Sequence, residues 1–316
     1  MSQFSFPLVA SQPMNGQRLI TALLSGSMAP AQCWRKTSFR LKFLSRSLLN
    51  WQTTSGLMNT LADNPLLETI LRAQPNLPCK LHRPYLAANM SKLDGLFALR
   101  DHYDLIAQRM PGKMLHGHLG TQPLVLSHAT DKNGETVTLE LAAIDKLNKE
   151  GETTLLLRNA AGIMLAEITF TLMHFRQKST LFIGGLQGAN VDVPHSEIQH
   201  ATKACHGLFP KRLVLEGVCH LARHLGIQQV VAVGNGSHIY QNWRYKNKKR
   251  DLLHADYDQF WLSMAARPLP GGYFLLPERI ARKPLEEVAS KKRAEYRRRY
   301  QLLDALEQGL AAHFSR

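Results

Sequence analysis

The chain has 316 residues, 44% of them hydrophobic and 8% aromatic, which is ordinary for a folded protein with an ample core. Its 39 lysines and arginines outnumber the 24 aspartates and glutamates, and the formal net charge is +15. This charge predicts an anionic partner, such as a membrane surface, an acidic ligand or nucleic acid. No apolar run approaches the roughly 20 residues of a membrane-spanning helix.

The four cysteines form no Cys-x-x-Cys pair, and the first residues lack a basic region followed by a long apolar core. The first observation predicts reduced thiols, and the second argues against a secretory signal peptide. We therefore expect a cytoplasmic protein.

The segment 34–51 carries only positive charge, and the first acidic residue of the chain is Asp63. Apolar residues recur in this segment at helical spacing, whereas the basic residues lie largely elsewhere around the predicted helix. A basic amphipathic helix with a tryptophan at each end is typical of helices that lie in a lipid headgroup layer. The alternative is a helix packed on the core with solvated basic side chains. The residues predicted to meet an anionic membrane are Trp34, Arg35, Lys36, Arg40, Lys42, Arg46 and Trp51.

Helical spacing predicts a further helix over residues 91–110, ended by Pro111 and Gly112. His116 and His118 follow in a predicted strand or turn. Because no cysteine or carboxylate completes a ligand set, we predict no metal site. Two alternating apolar runs around the turn DKNG then predict a β-hairpin.

The stretch 153–243 predicts the centre of the fold. Two alternating apolar runs, broken at Asn159–Gly162, predict a second hairpin, and STLFIGGLQGA predicts a strand that ends in glycines. A polar helix, an amphipathic helix and the buried strand IQQVVAV follow. Hairpins followed by a strand–helix–strand unit predict an α+β fold with a mixed, mostly antiparallel sheet and flanking helices.

We divide the chain into three regions. Residues 1–110 form a mostly helical region, residues 111–280 the mixed-sheet core, and residues 281–316 a basic C-terminal helix. Because the two predicted hairpins follow each other without a clear domain boundary, we expect one compact domain.

The carboxyl ends of the last two central strands are the predicted ligand site. Glycines end the first of these strands, and free N–H groups at the start of the amphipathic helix, after the turn GLFP, attract phosphate. If the two strands are parallel neighbours, both ends open on one cleft; the alternative is a strand-end surface without a ligand. The predicted cofactor-binding residues are Gln187, Gly188, Lys203, Lys211 and Arg212, and the predicted proton carriers are His238 and Tyr240.

Two more patterns allow other interpretations. Glu216, His220 and His224 recur every four residues on the amphipathic helix, where we favour a polar surface stripe over a metal site or proton relay. Aromatic residues alternate with basic residues in WRYKNKKR (243–250) and KKRAEYRRRY (291–300), a pattern that also suits nucleic acid. No helix-turn-helix, zinc module or RNA-binding aromatic strand supports nucleic-acid binding, which is the less favoured partner.

The phrases EGETTLLLRN, IGGLQGAN, ATKACHGLFPKRL, VVAVGNGSHIY, YDQFW and LPERI occur in this order. In combination they resemble the VirK/YbjX family of enterobacterial proteins over most of the chain. The resemblance implies a cytoplasmic or membrane-associated protein that supports cell-envelope integrity, resistance to cationic antimicrobial peptides, and virulence or intracellular survival. With the basic amphipathic helix, our leading hypothesis is such a protein peripheral to the inner membrane. It implies no reaction and no catalytic residues.

The predicted order of strands and helices also resembles the GCN5-related N-acetyltransferases, in which a glycine-bearing loop after a strand holds the pyrophosphate of coenzyme A. Gln187 and Gly188 stand where such a loop begins. The chain lacks the glycine-rich run of those enzymes and inserts a helix before GLFPKR. The resemblance implies an alternative function, acyl transfer from acyl-CoA to a lipid precursor, peptide or amine, and rests on analogy of fold.

Overall fold

The computed structural model describes residues 14–245 and 256–315. Helices precede the sheet, and their ends follow local capping chemistry. The side chain of Asn15 accepts a hydrogen bond from the Arg18 amide at 2.9 Å, and Ser91 with Asp94 forms a reciprocal capping box. These helices are α1 (Gly16–Ser25), α2 (Thr37–Leu49), α3 (Trp51–Ala62), α4 (Leu67–Ala73), α5 (Lys92–Arg109) and α6 (Gly112–His118).

A mixed sheet follows, in the spatial order β1-β2-β3-β4-β5-β6-β8-β7. Neighbouring strands are antiparallel except β5 and β6, which are parallel. The predicted α+β fold with a mostly antiparallel mixed sheet is therefore confirmed. The strands are β1 (Leu124–Thr130), β2 (Thr136–Ala142), β3 (Thr153–Arg158), β4 (Met164–Phe175), β5 (Lys178–Gly188), β6 (Gln229–Val233), β7 (Arg267–Leu269) and β8 (Tyr273–Leu276).

The parallel pair requires a crossover, which two helices provide because a tight turn cannot return the chain to the same direction. The helices that follow β5 are α7 (His195–Ala204), α8 (Pro210–His224), α9 (Tyr257–Ser263) and α10 (Arg293–Ala311). Helices α7 and α8 connect β5 to β6, α9 precedes the β7–β8 hairpin, and α10 closes the chain.

The sheet is covered by helices from both halves of the chain. Helix α5 packs along β4, α8 packs on β3 and β4, and α10 packs on β1 and α8. A Cβ on Gly217 of α8 would lie 2.7 Å from Leu139 and 2.8 Å from Leu155, so this glycine lets α8 approach the sheet closely. The apolar core is continuous from α1 to α10.

A buried ion pair joins the N-terminal helices to the sheet. The Lys80 ammonium donates to the Glu152 carboxylate, and both side chains are almost fully buried. The hydroxyls of Tyr85 and Tyr103 each donate to Glu152 at 2.8 Å. Because every oxygen of this carboxylate has a donor, the charge is compensated inside the core.

Two sequence-based predictions of local structure are wrong. The predicted helix 34–51 is divided: a 3-10 turn (Gln32–Arg35) precedes α2, and Trp51 begins α3. The pair His116 and His118 lies in α6, not in a strand or turn, and His118 is buried with its Nε2 atom 3.0 Å from the Thr153 hydroxyl. Burial lowers the pKa of His118 to about 4, so this histidine is a neutral hydrogen-bonding group of the core.

Candidate site at the diverging ends of strands β5 and β6

Strands β5 and β6 pair over only part of their length. The parallel ladder spans Thr180–Ile183 on β5 and ends at Ala232 on β6, whereas β5 continues to Gly188. Side chains of α9 fill the space where the strands part. The hydroxyl of Tyr257 accepts from the Leu186 amide and donates to the Leu186 carbonyl, both at 3.1 Å. The two strands are the parallel neighbours that the sequence-based cleft requires.

Glu150 occupies this opening, pressed against the glycines of β5. A Cβ on Gly185 would lie 1.8 Å from Glu150 Oε2, and a Cβ on Gly184 would lie 2.1 Å from the Glu150 carbonyl oxygen. Neither glycine has a positive φ, so backbone conformation does not explain why these positions are glycines. The two glycines therefore lie within β5, before its end, and make room for a carboxylate and its backbone.

The Glu150 carboxylate is held by neutral donors. The Gln187 amide donates to its two oxygens at 3.2 and 3.0 Å, and the Tyr240 hydroxyl also donates to it. Burial outweighs these hydrogen bonds and raises the pKa of Glu150 to about 7. Near neutral pH this carboxyl group therefore exists in both protonation states, as an acid–base group requires.

His238 faces Glu150 from the other strand end. Its Nδ1 atom accepts from the Tyr240 amide at 3.3 Å, so a neutral ring carries its proton on Nε2. That Nε2 atom lies 3.9 Å from Glu150 Oε1, beyond hydrogen-bond distance, and is buried without a hydrogen-bond partner among the described residues. Burial lowers the pKa of His238 to about 4, which makes the ring a neutral N–H donor.

Tyr240 and Gln187 are the members of the group that are only half-buried. The Tyr240 ring lies edge-on to the His238 ring, with centroids 4.9 Å apart. Burial and the neighbouring Glu150 raise the pKa of Tyr240 to about 12, so its hydroxyl keeps its proton at neutral pH. Glu150, Gln187, His238 and Tyr240 thus form one network, called here the Glu150 cluster.

Of the three basic residues predicted to bind a cofactor, Lys211 lies beside this site, whereas Arg212 and Lys203 do not. Lys211 is half-buried beside β5, since a Cβ on Gly188 would lie 3.6 Å from Lys211 Cε, and burial lowers its pKa. Arg212 points to Glu216 instead, at 3.2 Å. Lys203 is exposed at the end of α7, where the next carbonyl accepts from the Lys132 amide in the β1–β2 turn. That turn joins β1 and β2, which lie four and three strand spacings (about 19 and 14 Å) from β5.

Glu150 is the residue that the sequence-based argument missed. It lies in the polar stretch NKEGE before β3, which has no periodicity and gave no reason to single out one carboxylate. A signal was present in β5, because two glycines inside an apolar strand indicate close approach of another group. The pattern does not say which group approaches.

A second candidate surface lies on α2 and the start of α3. Leu41, Leu48, Leu49 and Trp51 are 61%, 65%, 84% and 49% exposed, and Lys42 and Arg46 lie among them. These six residues are called here the N-terminal surface. Arg35 and Lys36 are also exposed, whereas Arg40 donates to the Ser25 carbonyl at 2.6 Å and so braces α1.

Trp34 does not belong to this surface, and its predicted membrane contact is wrong. Its side chain is fully buried, its Nε1 atom donates to the Pro75 carbonyl at 2.9 Å, and its ring packs edge-on against Phe39 and Phe43. A tryptophan whose polar atom and ring are both occupied by the protein is a core residue. The exposed apolar residues near Trp51 are Leu48 and Leu49, and Trp34 is not one of them.

The other basic segments are partly internal. In WRYKNKKR, Trp243 is exposed and Tyr245 buried, and residues 246–250 lie outside the described residues. In the C-terminal segment, Arg299 donates twice to the His206 carbonyl, at 2.9 and 2.7 Å, and so anchors α10. Arg297 and Arg298 remain exposed.

Within residues 14–245 and 256–315, no helix is long and apolar enough to cross a membrane. The same residues contain no group of three or more histidines, cysteines, aspartates or glutamates arranged to hold a metal ion.

The fold and site define an α+β protein with one open mixed sheet and a buried carboxylate where its parallel strands diverge. The chain belongs to the family described as "Protein of unknown function (DUF535)", whose sequence profile matches residues 32–312. It is 48% identical over 304 residues to "Uncharacterized protein YbjX" of Escherichia coli K12, which covers 96% of this chain and 92% of that protein. Membership of the VirK/YbjX family is thereby confirmed.

Two more distant relatives extend the comparison. A Haemophilus influenzae protein is 29% identical over 216 residues, 68% of this chain and 70% of that protein. A Mannheimia haemolytica protein named "Membrane protein LapB" is 24% identical over 197 residues, 61% of this chain and 82% of that protein.

Proposed function

We propose that this protein is peripheral to the cytoplasmic face of the inner membrane and supports the integrity of the cell envelope there, including its resistance to cationic antimicrobial peptides. The observation that carries the proposal is the N-terminal surface, where three exposed leucines and a tryptophan lie among basic residues. The name of the Mannheimia haemolytica relative, "Membrane protein LapB", agrees with a membrane setting.

The physical argument combines two terms. Leu41 and Leu48 are seven positions apart on α2 and so lie on one helical face, where the headgroup boundary offers them an apolar environment. Each basic residue near an anionic bilayer adds about 1 kcal/mol. No aspartate or glutamate occurs between Met14 and Ala62, so no acidic group of α1, α2 or α3 opposes this attraction.

Sedimentation with vesicles of phosphatidylcholine, with and without phosphatidylglycerol, tests the proposal. We expect binding that rises with the anionic lipid and falls with salt. Replacing Arg35, Lys36, Lys42 and Arg46 by Gln is expected to abolish most of it, while Arg40 is left in place because it braces α1. The control removes four exposed basic residues of equal charge at the other end of the chain: Lys291, Lys292, Arg297 and Arg298. Equal loss in both variants would contradict a specific N-terminal surface.

The apolar half of the surface is tested separately. Leu48→Ser with Leu49→Ser is expected to weaken binding at high salt, where the electrostatic term is screened. Val191→Ser is the matched control, because Val191 is 96% exposed and lies far along the chain from α2. Unchanged binding of the double-serine variant would restrict the contact to charge alone.

The Glu150 cluster favours a second function, acyl transfer from acyl-CoA to an amine. The parallel pair β5–β6 in an otherwise antiparallel sheet agrees with the strand–helix–strand succession on which the resemblance to the GCN5-related enzymes rests, and the cluster lies where β5 and β6 part. The second helix between these strands departs from the pattern of those enzymes. The amine nitrogen would bond to the thioester carbon as the C–S bond breaks. Glu150 would accept the proton of the amine, and Tyr240 would hold a proton for the leaving thiolate.

Acyl-CoA binding is the direct test of this second function. Native mass spectrometry and calorimetry with acetyl-CoA and a long-chain acyl-CoA are expected to show one bound molecule. Lys211→Ala is expected to weaken binding by roughly 10- to 100-fold, the scale of a hydrogen bond to a charged group. Lys203→Ala is the control, because Lys203 is exposed at the far end of α7. If neither acetyl-CoA nor the long-chain acyl-CoA binds, the acyl-transfer proposal is wrong, and the membrane proposal is unaffected.

A further inference from the structure

Two polar cavities along α10, both lined by residues that the structure describes, differ in their charges. One lies against α8, and its lining holds three arginines and three carboxylates, so its charges balance. Glu216 and His220, predicted as members of a polar surface stripe, line this cavity and are buried under α10. The surface-stripe interpretation is therefore wrong for these two residues.

The charges of the other cavity do not balance. This cavity has a volume of about 420 Å³ and lies between the β1–β2 turn, the α7–α8 turn and α10. Its size is within the range of small-molecule sites. We call it the His206 cavity, and its polar lining residues are Thr130, Asp131, Lys132, His206, Arg298 and Gln301.

The backbone of the α7–α8 turn is held in an uncommon conformation at His206. This residue has a φ of 54°, in the left-handed region that a side chain with a Cβ rarely adopts, and Gly207 follows with a φ of 80°. Arg299 of α10 holds the turn, since its side chain donates to the His206 carbonyl at 2.9 and 2.7 Å. A residue that its surroundings keep in such a conformation is a candidate for function.

The His206 side chain is largely buried, yet its polar atoms can be reached from the cavity. The residue is 6% exposed, and its imidazole makes no hydrogen bond or ion pair with any described residue. Unlike Nε2 of His238, both of its ring nitrogens keep accessible surface. A neutral imidazole offers one donor and one acceptor nitrogen, so a ligand in the cavity can bond to it directly.

Among the described residues that line the cavity, two cations meet one carboxylate. Asp131 is engaged in the β1–β2 turn, where its Oδ1 atom accepts from the amides of Asn133 and Glu135 at 2.7 and 3.0 Å. The exposed side chains of Lys132 and Arg298 form no hydrogen bond or ion pair within the described part of the chain. The lining therefore keeps one surplus positive charge and two basic groups that are free to bind.

These basic groups act on the same imidazole. Burial lowers the pKa of His206, and the nearby charges of Arg298, Lys132 and Arg299 lower it further, against the opposite effect of Glu295. The positive charges thus converge on the cavity from the β1–β2 turn and from α10. An anion with several acceptor oxygens would bond to these donors together, and phosphate suits both the fork of arginine and the point charge of lysine.

We propose that the His206 cavity binds a phosphate group, either as free phosphate or as the head of a small phosphomonoester. Lys132 donates to the phosphate oxygens from the β1–β2 turn, Arg298 donates from α10, and the His206 ring contacts them from the floor of the cavity. The site shares no residue with the Glu150 cluster or the N-terminal surface, and it does not depend on either proposed function.

Calorimetry with inorganic phosphate and with glycerol 3-phosphate, at constant ionic strength, tests the site. We expect at least one of the two probes to bind, and Arg298→Gln and Lys132→Gln are each expected to weaken this binding about tenfold, the effect of losing one charged hydrogen bond. Tighter binding of glycerol 3-phosphate identifies an organic phosphomonoester, and equal binding identifies the phosphate group alone.

Arg297→Gln is the matched control, because Arg297 is the neighbouring exposed arginine of α10 and does not line the cavity. It removes the same charge and is expected to leave the affinity nearly unchanged. If neither probe binds, or if Arg297→Gln and Arg298→Gln weaken binding equally, the proposal is wrong.

The floor of the cavity is tested through His206 itself. His206→Asn withdraws the ring, and asparagine tolerates the left-handed backbone, so the fold is expected to persist and is checked by the far-ultraviolet spectrum. We expect this variant to bind phosphate more weakly than the wild type. In the wild type, phosphate is expected to shift the imidazole resonances of His206 more than those of the exposed His116. Equal shifts of the two histidines would overturn the proposal.

Discussion

Glu150 Oε1 lies 3.9 Å from His238 Nε2, and both side chains are only 2% exposed. Neither group gains a strong ion pair at this distance, so burial decides the charge of each. It raises the pKa of Glu150 to about 7 and lowers that of His238 to about 4, which favours the neutral form of both at mildly acidic pH.

Glu150 should make the protein less stable as the pH rises. Because its folded-state pKa is raised, the native state binds the proton more tightly than the unfolded state. The stabilisation that this proton gives is lost between about pH 4.5 and 7. Glu150→Gln mimics the protonated form. We expect the stability of this variant relative to the wild type to rise by about 3 kcal/mol from pH 4.5 to 8. Urea denaturation at both pH values measures this, and a constant difference would contradict it.

Gly185 should be intolerant of a methyl group. A Cβ there would lie 1.8 Å from Glu150 Oε2, so Gly185→Ala is expected to cost about 3 kcal/mol by overpacking. Gly188→Ala is the matched control in the same strand, where the nearest atom would be Lys211 Cε at an ordinary 3.6 Å. Thermal unfolding compares the two. If Glu150→Ala restores stability to the Gly185→Ala variant, the clash is with this side chain.

Removing Lys80 should destabilise the protein strongly, because it leaves Glu152 buried with an uncompensated charge. We expect Lys80→Met to cost about 3–5 kcal/mol. Adding Glu152→Gln should recover part of the loss. The control is Arg72→Gln, which breaks the exposed ion pair with Glu68 and is expected to cost less than about 1 kcal/mol. Similar losses at the two sites would show that burial does not govern the effect.

Acid should unfold the protein partly through buried histidines. His118 has a folded-state pKa of about 4, so the unfolded state binds its proton more tightly, and stability falls as the pH drops from about 6.5 towards 4. His118→Gln removes this titration. Between pH 7 and 5 we expect it to lose about 2 kcal/mol less stability than the wild type. His116→Gln in the same helix is the control for the substitution itself, since His116 is exposed.

The periodicity of the sequence by itself determined the sheet and most helices. Alternating runs such as TTLLLR and ITFTLMHF form strands with one or both faces buried. The turns DKNG and Asn159–Gly162 reverse the direction of the chain, so the hairpins follow from local sequence. The capping residues Ser91 and Asp94 likewise start α5 by local hydrogen bonds. The α+β class was predictable for these reasons, whereas the parallel pairing of β5 with β6 entered only as a condition and is known from the structure.

Only the tertiary structure decided which polar residues meet. Glu150 reaches Gln187 and His238 because β5 and β6 diverge and the glycines at 184 and 185 admit it, a relation between segments more than 30 residues apart. Trp34 is buried beside Pro75 and His220 under α10, and helical spacing cannot reveal either neighbour. Periodicity reports the face that a residue occupies, whereas the neighbour that covers that face is set by long-range packing.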